Sequence, residues 1–215
     1  MSSTTHLVLA AAPWLNGTVT GALAGCVVGV LIVVLRNKKG RRDAAAGPAR
    51  AAGLRVEEPG GGLPSGLGSV ALLQTGRSVR VTAVATGERS GRPLVSFCLR
   101  FLSGTRHGPT AHRYLGVHLP DAGTDPLHAV SLPAVAPEGI LDGFGYVAVD
   151  APRVVRGNDP AAAAAWAARP ALLKAAGDDA LIETGPAGLT LLVPGEPEDV
   201  ETLEAAIDRA LRAAG

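Results

Sequence analysis

Residues 1–35 contain no lysine, arginine, aspartate or glutamate, and this ion-free opening constrains the chain more than anything after it. Within it, Val19–Leu35 carries Thr20 as its single polar residue. Trp14 to Leu35 spans 22 residues. At 1.5 Å per residue that is about 33 Å of helix, against a hydrocarbon layer of about 30 Å. Helices buried in water-soluble domains rarely run so far without a charge on any face. Residues 13–35 are therefore expected to form a transmembrane helix, preceded by a short extracytoplasmic tail at 1–12. A cleaved signal peptide is not expected, because the opening MSSTTH supplies no basic n-region.

The run RNKKGRR follows Leu35 directly. Positive side chains beside a span are retained in the cytosol. The expected topology is single-pass in the inner (plasma) membrane, with the N-terminus outside and the C-terminal domain cytosolic. Arg36, Lys38, Lys39, Arg41 and Arg42 are expected to contact the inner leaflet, where each basic residue contributes about 1 kcal/mol. Gly21, Gly25 and Gly29 recur every fourth residue and fall on one stripe of the predicted helix. Such a stripe admits a second helix at close range, either a homodimer partner or another membrane protein.

Beyond the basic cluster the charge reverses. Residues 56–215 hold 13 basic and 18 acidic side chains, although the whole chain is at +1. A mildly acidic folded part argues against nucleic acid as a partner, since phosphate binding needs concentrated positive charge. Aromatic residues make up 3 % of the chain, so its core must be built from Val, Leu and Ala. Two cysteines, one in the apolar segment (Cys26) and one in a predicted strand (Cys98), make no disulfide framework and fit a reducing compartment.

Residues 36–69 read as a tether, basic at first and then rich in Gly and Pro, without apolar periodicity. Gly61 and Gly66 have the spacing of a phosphate-binding loop, but Leu67 stands where that loop needs lysine. A soluble domain is expected over 70–215. Strict alternation predicts a hairpin from Ser78–Thr86 and Leu94–Phe101, with Val79, Val81, Ala83 and Ala85 on one face of the first strand. Val95, Phe97, Leu99 and Phe101 share a face of the second. Arg113–Leu119 alternates again, with Leu115, Val117 and Leu119 inward. Further strands are predicted at Leu127–Leu132, Gly145–Asp150, Ala180–Glu183 and Leu189–Val193.

Asp159-Pro160 predicts a helix start, and Pro170 a break or restart. Glu198–Ala213 carries acids early, arginines late and an apolar stripe, which predicts a C-terminal helix. The fold class is α+β, an antiparallel sheet with a packing helix at its C-terminal end. The order of five strands, a helical insertion, two strands and a helix loosely resembles that of pleckstrin-homology-like domains.

Residues 75–213 resemble a group of single-pass, membrane-anchored proteins from high-G+C, actinobacterial-type bacteria, a family of unknown function. The resemblance lies in the helix-then-basic N-terminus, the hairpin VRVTAVATGERSGRPLVSFCLRF, the segment VAVDAPRVVRGNDPAAAAAWAARPALL and the closing LLVPGEPEDVETLEAAI. It implies an anchor with a cytosolic α+β domain and supplies no catalytic residues.

No nucleophile elbow, His-Glu-x-x-His or Cys-x-x-Cys occurs, and no catalytic residue, cofactor or metal site is predicted. His112 and His118 share a strand face about 20 Å apart, too far for one metal ion. With Tyr114 they are expected to form the polar face of a half-exposed strand, the one candidate for ligand contact. The chain thus reads as a membrane-tethered, non-enzymatic domain that binds a cytosolic protein. The alternative is a module for a small ligand or lipid headgroup at the inner leaflet.

Overall fold

A computed structural model describes residues 46–58, 66–67, 70, 73, 79–105, 108–122, 129–133, 146–150, 153–157 and 159–215. The chain divides into two compact units, Met1–Asp43 and Ala44–Gly215. The span predicted at 13–35, its glycine stripe and the basic residues 36–42 lie outside the described residues. Among the described residues no helix is long and apolar enough to cross a membrane.

The second unit is α+β. Its described strands are β1 (Arg55–Val56), β2 (Arg80–Arg89), β3 (Arg92–Thr105), β4 (Gly108–Leu119), β5 (Ala129–Pro133), β6 (Tyr146–Asp150), β7 (Arg153–Gly157), β8 (Leu181–Gly185) and β9 (Gly188–Pro194). They form one antiparallel sheet in the order β1-β2-β3-β4-β9-β8-β5-β7-β6. Among the described residues three helices follow or interrupt them: α1 (Pro160–Ala167), α2 (Pro170–Ala176) and α3 (Val200–Ala214). β1 and β7 are additional to the expected strands.

Because the sheet is covered on both sides, side chains of both parities are buried. On one face Leu115, Val117, Leu189, Leu191 and Ile182 pack under the helices, meeting Trp166 of α1 and Leu203, Ala206, Ile207 and Ala210 of α3. On the other, Val95, Phe97, Leu99 and Phe101 do share a face, as alternation predicts, and pack with Leu67, Val70, Leu181 and Leu192. α3 begins on Asp199, whose carboxylate accepts from the Thr202 backbone N–H at 2.7 Å. That contact satisfies a donor otherwise orphaned at the helix start.

Two expectations need correction. Val79, Val81, Ala83 and Ala85 do not share one face. The β2–β3 register slips between Thr82 and Ala85, and Ala83 has a φ of 52°. This bulge returns Val84 to the side of Val79 and Val81 and sends Ala85 to the helical core. The tether expected over 36–69 is also partly folded. Residues 46–51 are helical, β1 pairs with β2, and Ala49, Ala52 and Leu54 belong to the helical-face core.

Candidate functional site

The three side chains proposed as a ligand face sit on β4, opposite β3 on one flank and β9 on the other. His112 faces Phe101 across the β3–β4 ladder, and His118 faces Val95 and Thr190. The same parity carries all of them onto the non-helical face. There the expectation of a half-exposed polar strand fails. Tyr114 and His118 are buried, His118 completely, while His112 is half-buried. The cover comes from Gly66, Leu67 and Val70, which the sequence had placed in or beside the tether.

The face is also divided. At one end the Phe101 ring stacks on His112 with centroids 5.0 Å apart and on Tyr114 at 5.7 Å. Such pairs are worth about 0.5–1.5 kcal/mol beyond the area they bury. Burial pushes the Tyr114 hydroxyl above its ordinary pKa. In the middle the Phe97 ring occupies the space where Gly116 lacks a side chain. Phe97 therefore separates Tyr114 from His118, and the three predicted residues form two environments.

At the other end a polar row crosses three strands. Glu183 of β8 stands opposite Thr190 of β9, which stands opposite His118 of β4, and all three are buried. His118 Nδ1 lies 2.9 Å from Thr190 Oγ1. Its Nε2 has no hydrogen-bond partner among the described residues and lies beneath Gly66. Burial is the main influence on the ring and pulls its pKa down to about 4, against a smaller raising effect of the Ala187 backbone. At neutral pH the imidazole is uncharged and shielded from solvent. This suits it to packing and one hydrogen bond, not to proton exchange with a substrate.

The remaining reactive groups are similarly engaged. Burial, with a smaller contribution from Glu196, pushes the Cys98 thiol up to about 12, far from the thiolate a nucleophile needs. Trp166 Nε1 donates to Thr184 Oγ1 beneath α1. Arg153 is buried on the helical face, where Nη1 donates to Ser131 Oγ at 3.3 Å and to the Ala180 carbonyl at 3.1 Å. Desolvation lowers its pKa, and Asp178 and Asp179 oppose that shift. Arg209 ties α3 to the same corner through Asp179 and the Ala176 carbonyl. Among the described residues no three His, Cys, Asp or Glu side chains are grouped closely enough to hold a metal ion.

The sequence did not reveal Thr190 and Glu183 as neighbours of His118, because that row exists only once β8, β9 and β4 are in register. The fold and these environments together define an antiparallel α+β domain. No protein-family model matches the chain, and no curated protein matches it. Among solved structures, the crystal structure of the mycobacterial trehalose monomycolate transport factor A, TtfA, aligns at a TM-score of 0.45 and 17 % identity. The alignment covers 82 % of this chain and 96 % of that one.

Proposed function

We propose that this chain is a membrane-tethered, non-enzymatic interaction domain held at the cytosolic face of the plasma membrane. The observation that carries the reading is the ion-free run through Leu35, its basic flank, and a folded unit starting at Ala44. The glycine stripe Gly21, Gly25, Gly29 pairs the span with a second copy or with another membrane helix.

The burial of Tyr114 and His118 supports a protein partner over a small ligand held on that face. A ligand reaching either residue must first displace Leu67 and Val70 from the apolar core they complete. Proximity labelling from an enzyme fused at the C-terminal end tests the reading, with residues 1–43 carrying the same enzyme as control. The full chain is expected to enrich specific membrane or cytosolic neighbours. A neighbour set identical to that of the control sinks the interaction role.

A further inference from the structure

Charge is divided sharply within the folded unit. Residues 59–120 contain seven arginines and one acid, Glu88, whereas residues 121–215 contain six basic and fifteen acidic side chains. The first stretch supplies β2, β3 and β4, so the basic half of the unit is one contiguous part of the sheet.

Within it, Arg80 of β2 stands directly opposite Arg100 of β3, and Arg100 directly opposite Arg113 of β4. With strands about 4.8 Å apart, three guanidinium groups project from a line of backbone only about 10 Å long. All three residues are exposed, whereas the neighbouring positions Cys98 and Leu115 on the same face are buried. Like charges placed directly opposite one another destabilise a sheet. Arg113 is partly neutralised by Glu196, at 3.3 Å between exposed side chains. Arg80 and Arg100 have no ion pair or hydrogen bond from their side chains among the described residues. The other cross-strand arginine pair, Arg89 and Arg92, differs: Arg89 bonds Glu204 and the Ala52 carbonyl, and Arg92 bonds the Gly215 backbone oxygen.

We infer that the Arg80–Arg100–Arg113 row is a docking site for phosphate-bearing headgroups of the membrane that tethers the chain. The inference rests on the tether reading and extends it from the basic flank to the folded sheet. Guanidinium forks bind phosphate oxygens in pairs, and neighbouring forks at strand spacing converge on one or two phosphates. An anionic surface relieves the repulsion along the row. It also attracts this basic part of the sheet while repelling the acidic remainder, which orients the domain. Screening by salt weakens the contact.

The test uses the full chain reconstituted into phosphatidylcholine vesicles, with or without phosphatidylglycerol, each carrying a trace of the same lipid with a photoreactive headgroup. Adduct on β2–β4 peptides is compared between wild type and the triple variant Arg80→Gln, Arg100→Gln, Arg113→Gln. With phosphatidylglycerol present, the variant is expected to lose on the order of a hundredfold of that adduct, from the roughly fivefold attraction that each of the three basic residues supplies. Without phosphatidylglycerol, both proteins should label weakly and alike. The variant should melt no lower than wild type, since it removes repulsion.

Equal labelling of wild type and variant in anionic vesicles overturns the inference, as does strong labelling in phosphatidylcholine alone. Inorganic phosphate that binds the wild type but not the variant in the absence of vesicles, with no loss of anionic-lipid adduct in the variant, assigns the row to soluble phosphate and overturns the headgroup assignment. Adduct on residues 13–35 reports the anchor separately. If it is missing, the tether reading fails, and the row is read instead by cosedimentation of the chain with the same vesicles. There an unchanged bound fraction in the variant is the contradicting result.

Discussion

The Phe97 ring lies over Gly116, the residue directly opposite it on the neighbouring strand. A β-carbon at position 116 would stand 2.4 Å from Phe97 Cε2 and Cζ, inside any tolerable contact. The ring thereby closes the non-helical core between Tyr114 and His118. Gly116→Ala should force Phe97 off its rotamer and cost about 1–3 kcal/mol. Chemical denaturation of the two proteins measures this, and an unchanged midpoint contradicts the packing.

His118 makes stability depend on pH. Its folded pKa of about 4 lies below the ordinary value of 6.5, so the unfolded chain binds more protons between those two values. The contribution is fully present above pH 6.5 and is lost as pH falls toward 4, amounting to about 3 kcal/mol over that window. His118→Gln should flatten this part of the stability curve. Denaturation midpoints at pH 7 and pH 4.5 decide it; equal slopes for variant and wild type argue against the burial.

Trp166 and Thr184 are both buried and bond to each other. Trp166→Phe keeps an apolar ring and leaves the Thr184 hydroxyl without its donor, at a cost of about 1–3 kcal/mol. The double variant with Thr184→Val should recover part of that loss. Thermal melts of the four proteins form the cycle, and simple additivity would show that the bond is not the coupling.

Leu54 tests where the folded unit starts. Its side chain lies against Gly87 of β2, with Cδ2 2.6 Å from the position of a β-carbon there, and it is buried in the helical-face core. Leu54→Ala should cost about 2–5 kcal/mol. A cost near zero would return residues 46–58 to the tether.

The same segment explains what the sequence could and could not disclose. Alternation in Val95–Phe101 and Leu115–Leu119 was readable because each strand is long enough to show its period. The capped, charge-graded α3 was readable for a similar reason. Residues 46–54 are built from Ala, Gly, Pro, Arg and one Leu, and β1 has only two residues, so no period could emerge. Leu67 and Val70 lie in or beside the Gly- and Pro-rich stretch GGGLPSGLG, so no period marks them as the cover over the His112, Tyr114 and His118 face. A polar residue at every second position signals an open face only when nothing distant covers it. The bulge at Ala83 escaped for a different reason: a left-handed alanine has no sequence signature in a run of Val, Thr and Ala.

The tether itself is tested most directly by a cytosol-active reporter fused after Gly215 and assayed in carbonate-washed cell fractions. The account predicts that reporter activity stays with the washed membranes. Activity recovered in the supernatant contradicts it, and so does activity seen only with a reporter that requires the extracytoplasmic space.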